Sequence, residues 1–476
     1  MTSGLKYLKL FFLSGLLTIC TFSKAQSAWD LQQCINYAIA HNISLKQSAL
    51  SNEINKVNTD QSKGQALPSV NLGASHTYNF GKNIDRFTNT FANTQVLSQN
   101  FWVSSNVVLW SGLSQYNTIR SNEYRYLSGV ENLKQQTNDL SLNVANAYIS
   151  VVFADELLKI SQNQFDITKE QLERTQKLVT AGALAKSVEY DIKAQLANEE
   201  VNVTTADNNY QLSLLNLRQL MNLDSVANFS VLKPNVDMQG EQLLNNNISG
   251  IYEMALKNQP GIKSGEYSIM SAEKNLQANK GRISPTISLN ASLGTGTSGL
   301  AKDIVGVNFT GYQLSGITNK GDSVYSPLTE IATRKTPFAD QFKDNVNKSI
   351  GFTLTVPLFN GLSTHSAVKT AKINTLNARL TQDLAKQNLY KTIAQAYANA
   401  KAALNKYNAT KASVEAASES FKYAQQKFNA GAISAFDFST AKNRLFASES
   451  NLLQSKYDYL FKLKVLDYYQ GKPLGF

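Results

Sequence analysis

Two stretches of this 476-residue chain repeat each other, and that duplication restricts the fold more than composition does. Ala38–Leu45 (AIAHNISL) aligns with Ala255–Ile262 (ALKNQPGI) at a displacement of 217 residues, which also relates Gly64 to Gly281 and Pro68 to Pro285. Further along, the displacement is 249. Leu109–Leu113 (LWSGL) matches Leu358–Leu362 (LFNGL), Val144–Tyr148 matches Ile393–Tyr397, and Gly182-Ala183 matches Gly431-Ala432. The second copy therefore carries 32 extra residues between Pro285 and Leu358. This divides the chain into repeat 1 over 26–223, an Asn-rich linker over 224–247 that holds Pro234, and repeat 2 over 248–476.

Each copy opens with a short helix and a longer one that ends before Pro68 or Pro285, because proline disfavours helix in the residue preceding it. The hydrophobic period then changes to two. Val70, Leu72, Ala74, Tyr78 and Phe80 alternate with Asn71, Gly73, Ser75, Thr77 and Asn79, and Phe101, Val103, Val107 and Leu109 continue the pattern. Ile287, Leu289, Ala291 and Leu293, then Ile350, Phe352, Leu354 and Val356, do the same in copy two. This predicts strand pairs at about 68–110 and about 285–358, with strands long enough to cross a bilayer when tilted. The alternate positions are Ser, Thr, Asn and Gly, which suits a polar lumen and equally suits the outer face of a soluble hairpin. Tyr78, Phe80, Phe101, Trp102 and Trp110 fit either an interfacial aromatic girdle or core packing.

Gly112 to Thr180 contains no proline and one internal glycine, Gly129, and 361–430 is its counterpart. These predict long helices over 112–180 and 361–430, each about 100 Å at 1.5 Å per residue. Return helices follow over 185–222 and 434–470. Sevenfold stripes run along them: Val144, Val151, Leu158, Phe165, Leu172 and Val179, and again Leu445, Leu452, Tyr459 and Leu466. A strict heptad means helices packed side by side. The intermediate positions are small or polar (Ala147, Ala154, Ser161, Thr168, Thr175), which favours a helix with neighbours on two sides and water inside over a solid two-stranded coil. At the turn of copy two, Gly431-Ala432 can end one helix and Ser434 can cap the next, with Asp437 at its third position. Copy one has Gly182-Ala183, then Lys186, Ser187 and Glu189, with a less regular cap.

The N-terminus has the layout of a secretory signal peptide over 1–25: Lys6 and Lys9, an apolar run over 10–19, and Ser23-Lys24-Ala25 as cleavage site. Ile19 stands where a lipidation signal before Cys20 would carry a small residue. Cleavage leaves Cys34 as the single cysteine, so no internal disulfide forms. The three histidines are scattered, with no metal-ligand or triad spacing. The net charge of +11 is spread along the chain, without the basic clusters of a nucleic-acid binder. The sequence thus points to an exported protein that is not an enzyme, has no cofactor and binds no nucleic acid. Two classes remain: a membrane passage, and a surface or periplasmic structural coiled-coil protein with no channel.

The ordered, duplicated pattern of strands, long helix, glycine turn and return helix resembles the TolC-like outer membrane efflux protein family. LFNG at Leu358–Gly361 and Gly-x-x-Ser-x-x-Asp at 431–437 are its local marks. The resemblance implies an α+β membrane protein, a homotrimer whose three sets of four strands close a 12-stranded barrel in the outer-membrane lipid. A periplasmic coiled-coil barrel of helices would continue it. Residues 81–100 and Gly294–Lys348 would be external loops. The resemblance also implies an exit duct for efflux or type I secretion, bound to a periplasmic adaptor and, through it, to an inner-membrane transporter. Gly182, Ala183, Lys186, Ser187, Glu189, Gly431, Ala432 and Ser434 would form the docking tip, and Asp437 and Thr440 the constriction. A family member carries a second acid and an arginine where this chain has Thr440 and Ile433, and Lys186 or Glu189 is the substitute expected here.

Overall fold

The computed structural model describes residues 28–93, 95–224, 229–234 and 247–472. The expected signal peptide, with Cys20, and much of the linker lie outside the described residues. The chain divides into two compact units. One comprises Met1–Glu53, Leu127–Glu266 and Leu380–Phe476; the other comprises Ile54–Tyr126 and Tyr267–Arg379.

The second unit contains a four-stranded antiparallel sheet. Its strands are β1 (Ser69–Asn79), β4 (Val96–Trp110), β5 (Thr286–Ser298) and β8 (Asn347–Thr355), in the order β1-β4-β5-β8. Registers Leu72↔Val103, Val103↔Leu293, Leu289↔Phe352 and Ile287↔Leu354 keep one parity across all four strands. Val70, Leu72, Leu289, Ile350, Phe352 and Leu354 therefore share a face, and Leu72 is 81 % exposed on it. The other face is a polar ladder: Asn106 donates to Asn290 Oδ1 at 2.6 Å, Asn290 to Thr353 Oγ1 at 3.0 Å, and Ser292 meets Ser349 at 2.7 Å. Trp102 lies on this polar face rather than in an aromatic girdle. Its ring occupies the space a Cβ on Gly73 would need, 2.4 Å away.

The connections between these strands are not simple loops. The span 81–100 holds the short strands β2 (Asn83–Asp85) and β3 (Thr90–Ala92) and the first residues of β4. Gly294–Lys348 begins with the end of β5 and holds a long hairpin of β6 (Lys302–Ile317) and β7 (Ser323–Lys335), then the helix α7 (Phe338–Asp344) and the start of β8. Period-two text hides in β6 because bulges at Ile304/Gly306, Phe309/Gly311 and Leu314/Gly316 reset the alternation every five residues.

The remaining helices are α1 (Leu31–His41), α2 (Ile43–Gly64), α3 (Ser114–Thr180), α4 (Lys186–Met221), α5 (Ile248–Asn258), α6 (Pro260–Gly281), α8 (Ser363–Asn429) and α9 (Ala435–Tyr469). None is long and apolar enough to cross a membrane. In the first unit, α1 starts with a capping box between Asp30 and Gln33 and buries Leu31, Cys34, Ile35 and Ala38, one face of a helix. This face packs with Val144, Tyr148, Val151, Leu217 and Met221. A second cluster joins Ile251 and Ala255 to Ile393, Ala400 and Leu466. Positions at the displacements of 217 and 249 thus fill both cores: Cys34 with Ile251, Val144 with Ile393, Leu217 with Leu466. Burial pushes the Cys34 thiol up to about 12, with Asp30 adding to the shift, so it stays protonated. The small heptad positions Ala147, Ala154, Ser161, Thr168 and Thr175 are buried at 5 % exposure or less, whereas Leu158, Phe165, Leu172 and Val179 are only partly covered.

Each strand-to-helix corner uses two successive left-handed residues, Gly112 (φ 62°) with Leu113 (φ 62°), and Gly361 (φ 62°) with Leu362 (φ 64°). That geometry explains the shared Gly-Leu of LWSGL and LFNGL. At Gly112 a Cβ would also lie 2.3 Å from the Gly281 carbonyl oxygen, whereas Gly361 has open space. Gly361→Ala is expected to cost about 1–2 kcal/mol from the left-handed φ alone. Gly112→Ala should cost about 1–3 kcal/mol more from overpacking against backbone. Thermal melting of the detergent-purified variants checks this order.

Candidate functional site

The helical turns of the first unit are built alike. At the end of α3, Ala183 N donates to Leu178 O at 2.9 Å and Gly182 N to Val179 O at 3.0 Å. At the end of α8, Ala432 N donates to Lys427 O at 2.8 Å and Gly431 N to Phe428 O at 3.0 Å. Both are Schellman closures, and both need a left-handed residue: Gly182 has φ 75° and Gly431 φ 73°. A Cβ at either glycine would meet no neighbouring atom, so it is the backbone conformation that calls for glycine.

The starts of the return helices differ. Ser434 Oγ accepts from Asp437 N at 3.1 Å, and Asp437 Oδ2 accepts from Ser434 N at 3.3 Å and from Ser434 Oγ at 2.7 Å. This is a reciprocal capping box, worth about 1 kcal/mol. Helix α4 starts after Ala185, which has no side chain to cap with, and Lys186 and Ser187 are exposed in its first turn. Glu189 is drawn into contacts within the chain. It pairs with Lys193 at 2.6 Å and accepts from Gln176 at 3.3 Å, and the Lys193 hydrogen bond holds its carboxyl below the usual range. Asp437 and Thr440 are exposed and three residues apart on α9, so they lie on neighbouring positions of one helix surface.

The two turns meet. Arg174 donates to Asn429 Oδ1 at 2.9 Å, tying the last turns of α3 and α8 together. A groove of about 540 Å³ lies between them, lined by Ala183, Gly431 and Ser434 with Arg174, Leu178, Ile433 and Phe438. Of the expected tip residues, it brings these three together, while Gly182, Lys186, Ser187, Glu189 and Ala432 stand outside its lining, as do Asp437 and Thr440 of the expected constriction. Within its lining Phe438 is buried and stacks on Phe428, with ring centroids 4.8 Å apart.

One charged cluster beneath the turns has no counterpart in the sequence reading. Lys442 is 2 % exposed and lies 3.1 Å from Glu199, itself 6 % exposed. It also donates to Gln164 O at 2.9 Å and to Thr168 Oγ1, so three acceptors surround its three donors. Burial lowers the pKa of this ammonium, and Glu199 opposes the shift. The signal for it was a charge inside a sevenfold stripe: Ile192, Glu199 and Ala206 are all buried on α4, as are Ala435 and Lys442 on α9. Among the described residues no group of three His, Cys, Asp or Glu side chains could hold a metal ion.

Comparison with known proteins bears on the family and the fold. The family model for outer membrane efflux proteins matches residues 34–223 and 251–471. The outer membrane protein TolC of Escherichia coli K12 is 24 % identical over 457 residues, which is 93 % of this chain and 82 % of that protein. The cation efflux system protein CusC of the same strain is 22 % identical over 316 residues, 65 % of this chain and 58 % of that one. Among solved structures, CusC superposes with a TM-score of 0.74 at 15 % identity, covering 93 % of this chain and 92 % of that one. The outer membrane protein VceC of Vibrio cholerae gives 0.72 at 14 % identity, covering 93 % and 96 %.

Breaking the buried pair with Glu199→Gln should cost about 3–5 kcal/mol, because it strands the Lys442 charge. The double variant Glu199→Leu with Lys442→Met should recover most of that loss. Thermal midpoints of the three proteins in detergent check both expectations.

Proposed function

The chain belongs to the outer membrane efflux protein family, and from that membership we propose that it is the outer-membrane exit duct of an efflux or type I secretion assembly in a Gram-negative bacterium. The observation that carries this is the four-stranded sheet. Its outer strands β1 and β8 have no further partner among the described residues, and one of its faces is apolar and exposed. Lipid tolerates neither an open backbone edge nor a polar outward face. Three copies, with β8 of each against β1 of the next, would close 12 strands with the apolar faces outward and the Asn–Ser–Thr ladder lining the lumen. The two sequence repeats over 26–223 and 248–476 would then supply equivalent helices to a periplasmic tunnel wall.

A purely structural coiled coil gives no reason for this sheet, since it would expose Leu72, Ile350 and Phe352 to water. The duct would be passive, with the driving force supplied by an inner-membrane transporter through a periplasmic adaptor. The groove between Gly182-Ala183 and Gly431–Ser434 is a fitting seat for an apolar-tipped segment of that adaptor, and the exposed Lys186 and Ser187 would rim it. Asp437 and Thr440 would face the constriction, where three like carboxylates favour cations. The relatives include a cation efflux protein, and the cargo of this chain is not fixed by its fold.

Purified protein in planar bilayers should give a stable conductance and should migrate as a trimer in detergent. Absence of any pore would overturn the duct. Asp437→Asn keeps an oxygen acceptor for the helix cap and removes the charge. Its reversal potential in a salt gradient should move toward the non-selective value, and an unchanged potential would remove Asp437 from the constriction.

A further inference from the structure

The β6–β7 hairpin lies in the strand connection of copy two, which is 32 residues longer than that of copy one, and nothing in the duct as described uses it. Its strands pair only with each other among the described residues. The register puts Ile304, Val307, Phe309, Tyr312, Leu314 and Ile317 on one face, where β7 adds Tyr325 and Ile331. Their spacing along β6 is three, two, three, two, three. In an unbroken strand that spacing would scatter them over both faces; the three glycine bulges bring every one to the same side. All eight are more than half exposed. The opposite face carries Asn308, Gln313, Glu330 and an Arg334–Asp303 contact of 3.6 Å, with Val324 and Leu328. The bulge glycines Gly306, Gly311 and Gly316 pair on that face, in open space.

The charge at the root of the apolar face indicates its occupant. Lys302 is paired directly with Lys335 on that same face, and neither has an ion-pair partner among the described residues. Like charges directly opposite each other destabilise a hairpin unless an anion lies over them. Lys348, at the start of β8, adds a further exposed ammonium where the chain returns to the sheet. We propose that residues 302–335 form an arm that lies on the outer leaflet of the membrane, its apolar face among the acyl chains and its Lys302–Lys335 pair on lipid phosphates. The proposal rests on the outer-membrane reading. A second arm is the poorer occupant, because its own apolar face carries no carboxylate to meet the lysine pair; Asp303 and Glu330 lie on the opposite face.

The test uses full-length protein in vesicles of phosphatidylcholine alone or in equal mixture with phosphatidylglycerol, both with brominated acyl chains. An environment-sensitive fluorophore is placed at Leu314→Cys, at Gln313→Cys on the opposite face, or at Phe352→Cys in β8; the native Cys34 is fully buried. In the anionic vesicles the labels at 314 and 352 should be quenched and the label at 313 should not. Removing Lys302 and Lys335 as glutamines should reduce the seated population about fivefold per lysine, as should omitting the anionic lipid. A quenched label at 352 with an unquenched one at 314 overturns the arm and leaves the duct standing; neither quenched overturns both. Quenching at 314 that ignores both the lysines and the lipid charge overturns the phosphate contact. A disulfide between Leu314→Cys residues of two chains, without lipid quenching, assigns the face to a second copy and overturns the proposal.

Discussion

The four strands of the central sheet keep a common parity, and much else follows from that register. Val70, Leu72, Ile287, Leu289, Phe352 and Leu354 can lie on one face because the register holds along β1, β4, β5 and β8, apart from one shift at Val108/Trp110 near the end of β4. A one-residue slip at any pair would mix Asn and Ser into the apolar face and break the Asn106–Asn290–Thr353 ladder on the other. With the register kept, a single chain has an apolar face exposed and, among the described residues, two sheet edges unpaired. The proposed closure of three copies within lipid would satisfy both requirements.

The helices meet a different constraint. A helix with neighbours on two sides lets them come close only where its residues are small. Ala147, Ala154, Ser161, Thr168 and Thr175 are buried more completely than the large residues of the adjacent stripe beyond Val151. Close approach brings dispersion contacts and backbone-directed hydrogen bonds that bulky side chains would prevent. Reciprocal bonds between Ser121 and Ser271, 2.9 and 2.8 Å to each other's carbonyls, are of this kind in the second unit. Deeper toward the turns the same stripe accepts an ammonium, since Thr168 Oγ1 and the Gln164 carbonyl serve as acceptors for Lys442.

Much of this was legible in the residues, for identifiable reasons. The alternation at Val70–Phe80 and Ile287–Leu293 is strand text because nothing interrupts its parity. Gly431, Ser434 and Asp437 stand out because a Schellman closure followed by a capping box needs those residue types at those spacings. The β6–β7 hairpin was not legible, because its three bulges reset the period before alternation can accumulate. Trp102 stayed open between an interfacial anchor and core packing, because the glycine that makes room for it, Gly73, is on another strand. Glu189, a candidate for the constriction, is engaged instead with Lys193 and Gln176.

By itself the sequence pointed to the long helices, the four sheet strands and the family, because these reside in periodicities and local turn chemistry along the chain. The tertiary structure alone decided which of two sevenfold stripes is buried, which face Trp102 occupies, that Lys442 meets Glu199, and that the longer strand connection of copy two holds one apolar-faced hairpin. Each of these depends on what a second, distant segment places opposite the first. Sequence spacing sets the direction of a side chain along its own element and carries no record of the partner it will find there.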